Sequence, residues 1–209
     1  MKKNLLLALA VFGLSLSTLN VNAQAFQKGN SVITAGYGFP NLGATIFKTA
    51  YGAYPGYSVS SLGPAFLKYE YALTDNIGVG LVVGYSSFTV KWSESDYYYN
   101  TSGTYVNDNY TWQLKYTSPS AAARFNYHFL IKDKFEMYAG AALGYKAAVY
   151  TYSTTDPRGT GAVVTLHSSP IYMPITVGFR YYFVPNFGLY TEAGIDKGAI
   201  LQVGLAGKF

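Results

Sequence analysis

The segment Gly178–Phe209, GFRYYFVPNFGLYTEAGIDKGAILQVGLAGKF, decides how the chain folds. Two turn signals divide it, Pro185-Asn186 and Asp196-Lys197-Gly198. The second suits a three-residue hairpin loop with glycine at the left-handed position. The runs between them alternate. Phe179 and Tyr181 oppose Gly178 and Arg180, while Leu189, Ala193 and Ile195 oppose Tyr190, Glu192 and Gly194. A period of two marks strands with two unlike faces. The last run ends on a large ring, Phe209, although free chain ends usually fray.

The same design recurs upstream. LTDNIGVGLVVGY turns at Thr74-Asp75-Asn76, and FLIKDKFEMYAGAALGY turns at Lys132-Asp133-Lys134. Each turn is followed by an apolar residue, Ile77, Phe135 or Phe187, that opens a new alternating run. This is a weak internal repeat spaced by roughly fifty residues, one hairpin pair per repeat. The connections between repeats are longer: Pro40 to Ser61, the polar and tyrosine-rich WSESDYYYNTSGTYVNDNYTW, and STTDPRGTGAVVTLHSS. Eight strands are expected, at about 30–39, 63–73, 77–91, 110–129, 135–151, 168–183, 187–196 and 199–209. Short turns at one end and long loops at the other predict an all-β chain, an eight-stranded antiparallel transmembrane β-barrel.

The strand faces differ in kind. Nearly every charge within a strand, namely Lys68, Glu70, Arg124, Glu136, Lys146, Arg180 and Glu192, shares a face with the glycines. The opposite face is small or aliphatic at mid-strand, as at Leu81, Val83, Ala139, Ile175 and Val203. It is aromatic at the strand ends, as at Tyr37, Tyr71, Tyr85, Tyr127, Tyr145 and Tyr181. Two aromatic girdles around an apolar band place that face against lipid and the charges inside. A soluble barrel would bury the apolar face instead and has no reason for rings at both rims. Pro174, at mid-strand, predicts a bulge or kink. The alternation slips near Ser86-Ser87 and near Ser118-Pro119, where bulges or the membrane boundary are expected.

The start of the chain, MKKNLLLALAVFGLSLSTLNVNAQ, reads as a secretory signal peptide over residues 1–23, with cleavage between Ala23 and Gln24. The barrel domain then occupies 24–209, and the loss of Lys2 and Lys3 lowers the formal net charge from +5 to +3. The apolar core of the leader is too short to span a membrane as a helix. The chain contains no cysteine, which excludes a disulfide framework, a cysteine lipid anchor, thiol catalysis and thiolate metal sites. Its 22 Tyr, 13 Phe and 22 Gly, with 12% charged residues, suit a barrel wall with a lipid-facing side. The Lys and Arg are scattered and form no patch for nucleic acid.

Alternating LQVGLAGKF, ending on Phe209, resembles the C-terminal targeting signal of outer-membrane β-barrel proteins. Together with the leader and GFRYYFVPNFGLY, it makes the chain similar to the broad family of small outer-membrane β-barrel domains, the OmpX, OmpW and OmpA-type barrels. The resemblance implies a bacterial outer-membrane location among lipid and lipopolysaccharide. It also implies recognition of Phe209 by the barrel-assembly machinery, and both chain ends in the periplasm.

Signals for catalysis are sparse. His128 falls on the inward parity near the periplasmic end and reads as a polar lumen residue. His167 and Ser169 share a strand face, and the pair looks like that of barrel lipid A deacylases, where a base activates a hydroxyl. No acidic orienter follows in PIYMPITVGFRYYF. Gly78–Gly84 lacks the helix of a dinucleotide fingerprint, and Glu94, Asp96 and Asp108 read as a solvated loop. No cofactor is implied. The seven strand charges face a lumen just wide enough for side chains, so they are expected to pair and to block passage. Tyr97, Tyr98, Tyr99, Tyr105 and Tyr110 gather near Trp92 and Trp112. They either recognise a surface partner or glycan, or pair across strands that continue beyond the membrane. A monomeric barrel with a structural or surface-interaction role is the expectation. A small-solute channel and a lipid A-modifying enzyme are the alternatives.

Overall fold

The computed structural model describes residues 24–99, 101–156, 164–168 (backbone only) and 170–209. Its strands are β1 (Ser31–Phe39), β2 (Ser58–Ala72), β3 (Ile77–Tyr99), β4 (Tyr105–Ile131), β5 (Phe135–Lys146), β6 (Ala148–Thr154), β7 (Val164–Ser168), β8 (Ile171–Tyr172), β9 (Ile175–Val184), β10 (Phe187–Asp196) and β11 (Ala199–Lys208). One helix, α1 (Leu42–Tyr51), follows β1. The wall runs β1, β2, β3, β4, β5, β9, β10, β11, all antiparallel. It closes where β1 pairs with β11, from Val32 opposite Lys208 to Phe39 opposite Leu201. The fold is an eight-stranded antiparallel β-barrel.

Prolines account for two breaks in the expected strands. The run 135–151 divides at Ala147, which lies opposite Pro119. Pro119 has no N–H to offer, but its carbonyl still accepts from the Ala147 N–H at 3.0 Å. Pro174 separates β8 from β9, and its carbonyl accepts from the Ala142 N–H at 3.0 Å. In each case the ladder loses a donor and keeps an acceptor.

Three expectations are corrected. The alternation does not slip at Ser86-Ser87 or Ser118-Pro119. β3 and β4 keep one register from Ile77 opposite Tyr127 to Tyr99 opposite Tyr105. What changes there is the chemistry of the inward side chains, which become Phe88, Val90, Tyr116 and Leu114. The actual irregularity lies across the sheet in β2, between Leu62 and Ala65. Gly63 there has φ +82°, and a Cβ would stand 2.6 Å from the Tyr85 carbonyl oxygen.

The second correction concerns the strand bounds 77–91 and 110–129; of the two readings left open for Trp92 to Trp112, the strands do continue. Most of this segment is strand, because Trp92 faces Trp112 and Tyr99 faces Tyr105 across the ladder. Cross-strand aromatic pairs stabilise such a ribbon. The third is α1, within a stretch expected to be irregular. Asn41 caps it by accepting from the Ala44 N–H at 3.2 Å. The Asn41 amide also donates to the Gly63 and Ser87 carbonyls, and the Leu42 N–H donates to the Gly198 carbonyl at 3.0 Å. Tertiary contacts therefore hold a ten-residue helix that is too short to persist alone.

Candidate functional site

The inward side chains of the barrel form two linked ionic groups. In one, Glu192 of β10 is the hub. Its carboxylate accepts from Lys68 Nζ at 2.7 Å, Arg124 Nη2 at 2.9 Å and the Tyr138 hydroxyl at 2.8 Å. Lys68 also donates to Gln202 Oε1 at 2.7 Å, and Gln202 passes the chain on to Asp196 at 3.0 Å. Tyr172 donates its hydroxyl proton to Asp196. Arg124 is steadied by Asn126 at 2.8 Å and Thr176 at 3.2 Å.

In the other group, Arg180 bridges Glu136, at 2.9 Å, and Glu70. The His128 ring lies between the same two carboxylates, with Nδ1 2.7 Å from Glu136 and Nε2 2.8 Å from Glu70. A neutral imidazole has only one N–H. Two carboxylate acceptors fit an imidazolium, which balances Glu70, Glu136, Glu192 and Asp196 against Lys68, Arg124, Arg180 and His128. Tyr138 joins the groups, with its hydroxyl on Glu192 and the Arg180 guanidinium 4.3 Å from its ring centroid. Gly178 makes room for that ring, since a Cβ there would come within 2.2 Å of it. All these charged side chains are buried. Charges removed from water are tolerated only with such pairing, in which Arg180 Nε is the one charged-group nitrogen without a hydrogen-bond partner among the described residues.

The network has a cover at one end. Residues 24–30 cross the mouth formed by the short turns. Lys208 Nζ donates to the Gln24 carbonyl at 2.6 Å, the Ala25 N–H to the Lys132 carbonyl at 2.9 Å, and the Gly29 N–H to the Ala72 carbonyl at 2.9 Å. This strap drives Phe26 inward until its ring stacks on His128, 3.6 Å between centroids and 11° between planes. At the opposite rim, Lys197 reaches from the β10–β11 hairpin to Ser118 at 3.1 Å. Above it, Ala44 and Phe47 of α1 pack on Phe88 within a cluster that includes Val90, Trp92, Leu114 and Tyr116.

The sequence-derived residues divide as follows. Lys68, Glu70, Arg124, Glu136, Arg180 and Glu192 meet in the lumen, and His128 joins them. Lys146 is half-buried at the end of β5 and enters none of the described ion pairs. Phe209 exchanges two backbone hydrogen bonds with Ser31, at 2.8 and 2.9 Å. Gln24 opens the strap; Ala23 lies outside the described residues, as do Ser169 and the side chain of His167. Asp108 accepts from Tyr98 at 2.7 Å and Tyr110 at 3.3 Å, and the first of these bonds raises the Tyr98 hydroxyl above its ordinary value. Charge did not reveal Tyr138, Tyr172 and Gln202, although each lies on the inward parity, and Asp196 was read as part of the Asp196-Lys197-Gly198 turn. Phe26 had no periodic signal at all.

The exterior inverts the usual order. Leu81, Leu143 and Ile175 are 61, 62 and 65% exposed, while Glu136 and Glu192 are 0 and 1% exposed. No helix among the described residues is long and apolar enough to cross a membrane; here the strands cross. The fold and this distribution define a small transmembrane β-barrel.

No family model matches the chain, and no curated protein matches it in sequence. Among solved structures, it is similar to OprG of Pseudomonas aeruginosa, with 14% identity over 88% of this chain and 97% of that one and a TM-score of 0.47. It is also similar to Ail, the attachment invasion locus protein of Yersinia pestis, in complex with the heparin analogue sucrose octasulfate. That match has 15% identity over 87% and 99% of the two chains, and a TM-score of 0.41. A third is the outer-membrane protease OmpT of Escherichia coli, with 12% identity over 93% and 100% and a TM-score of 0.36.

Proposed function

We propose that the chain is a bacterial outer-membrane barrel with a blocked lumen, whose work is done outside the cell by the parts that rise beyond its rim. The observation that carries this reading is the buried network centred on Glu192 and Tyr138, with the Phe26 strap beneath it. Among the described residues, the charged side chains that fill the lumen are buried and tied to one another, which supports a route closed to hydrated ions. The leader, the aromatic girdles and the lipid-type exterior support the outer membrane as its location. Cleavage between Ala23 and Gln24, after the short apolar run and small residues of the leader, is the proposed processing step. Phe209 is the proposed assembly signal, and the closed ring, which leaves no free edge in the wall, supports a monomer. The role is non-catalytic: structural, or recognition at the surface.

Planar-bilayer recording of the purified protein tests the blocked lumen. Little or no conductance is expected. Large, steady single-channel currents would overturn the reading in favour of a small-solute channel.

A further inference from the structure

Above the rim, β3 and β4 continue, flanked by β2 as far as Lys91 and by β6 as far as Trp112, and beyond those residues as a two-stranded ribbon. Ser86 to Tyr99 adds fourteen residues beyond the Tyr85 girdle. At ~3.3 Å per residue and a tilt near 40°, that reaches about 35 Å above it. The outward face of this ribbon carries Ser93, Ser95, Tyr97 and Tyr99 on β3, facing Thr111, Asn109, Asn107 and Tyr105 on β4. None of these side chains is charged. Tyr97, Tyr99 and Tyr105 are 56, 72 and 59% exposed. The rings of Tyr97 and Tyr105 are nearly parallel, 19° apart with centroids at 5.7 Å, and Tyr99 leans on Tyr105 at 5.3 Å.

Resting on the reading that this end faces outside the cell, we propose that the ribbon face is a binding site for a neutral glycan. Three clustered rings held in water mark an interaction site. The chemistry around them selects the occupant. A pyranose offers a flat face of C–H groups and a rim of hydroxyls. The tyrosines match the first. The amides of Asn107 and Asn109 and the hydroxyls of Ser93 and Thr111 match the second, because they both donate and accept. Ser95 engages the Asn109 carbonyl oxygen at 2.6 Å and leaves its NH2 group as a donor. A sulfated or phosphorylated glycan would call for guanidinium or ammonium groups, and the cations of this face, Lys91 and Lys115, lie below the tyrosines. A protein partner would call for a contiguous apolar centre, and here hydroxyls and amides flank the rings.

The test uses the purified full-length barrel in detergent micelles, titrated calorimetrically with maltoheptaose, cellohexaose and a heparin hexasaccharide. Saturable binding of a neutral probe is expected, with the same affinity at low and high salt. Tyr97→Ala with Tyr105→Ala should weaken it by roughly tenfold or more. Asn109→Ala should weaken it with the rings intact, and Lys115→Gln should leave it unchanged. Heat-modifiable migration checks that each variant is folded. Failure of both neutral probes to bind, binding that survives loss of the two rings in the folded variant, or salt-sensitive preference for heparin overturns the proposal. Because the chain has no cysteine, Thr101→Cys can be labelled alone on intact cells with an impermeant maleimide. Labelling without glycan binding sinks the glycan site only, whereas labelling only after lysis sinks the orientation on which it rests.

Discussion

The lower and upper halves of the β3–β4 pair share one register and one inward parity, yet their polarity is opposite. Below Tyr85 the outward side chains are apolar, as at Leu81, Val83 and Phe125, and the inward ones include Arg124, Asn126 and His128. Just above it the inward side chains are Phe88, Val90, Trp92, Trp112 and Leu114, with Glu94, Asp96 and Asp108 following further out on the same parity, and the outward ones are Lys91, Lys115, then serines, asparagines, threonine and tyrosines. The backbone does nothing at the crossover. The solvent changes instead: lipid below and water above on the same outer face, a charged lumen below and the underside of α1 above on the inner one. The β3–β4 pair therefore marks this boundary by exchanging the chemistry of its two faces with its own register unbroken, while the irregularity falls on the neighbouring β2 between Leu62 and Ala65.

Five changes test this contrast. Glu192→Gln should have the largest effect, since it strips the hub from Lys68 and Arg124 in a dry interior. A loss of about 3–5 kcal/mol is expected in denaturant unfolding from lipid, or else a leak in bilayer recordings. Unchanged stability and no leak would mean that the lower inward face is wetter than its burial indicates. Next, Leu81→Arg places a charge at mid-wall and should cost about 2–4 kcal/mol. Its counterpart Ser93→Arg, on the same face above the boundary, should stay within about 0.5 kcal/mol. Equal costs would erase the proposed crossover. Phe26→Ala removes a fully buried ring, but the strap can settle into the gap. The loss should fall below the usual range for a core phenylalanine, at about 2 kcal/mol, with faster hydrogen exchange at Ala25 and Gly29. A small effect is also expected for Lys146→Gln. This lysine has the parity of the network but no ion pair in it, and the change should cost about 0–1 kcal/mol by the same unfolding assay.

The sequence made the ring of eight strands legible because alternation, short turns and glycine-sharing charges all agree between Lys68 and Lys208. Six of the seven strand charges meet for the same reason: in a narrow barrel, parity alone decides what can touch. Lys146 shows the limit, since parity does not give height along the axis, and height decided whether a partner was within reach. Above the rim the apolar inward residues read as a slip, for which a bulge and the membrane boundary were both open; the unbroken β3–β4 register removes the bulge. α1 was hidden because Gly43, Thr45 and Thr49 are poor helix formers, and the contacts that hold it come from Gly63, Ser87 and Gly198, far away in sequence. The strap carries no period, and nothing but the fold brings Phe26 to His128.

The bonds between Ser31 and Phe209, and between Gln24 and Lys208, bring the first and last described residues together beside one mouth. For protein engineering, the position of the chain break is thus separable from the shape of the barrel. A circular permutant that joins Phe209 to Gln24 and opens at the Ser102-Gly103 tip would keep every pair of the wall while ending on a different residue. If Phe209 is the assembly signal proposed above, such a chain would close in micelles yet fail to reach its membrane, and folding would be separated from delivery.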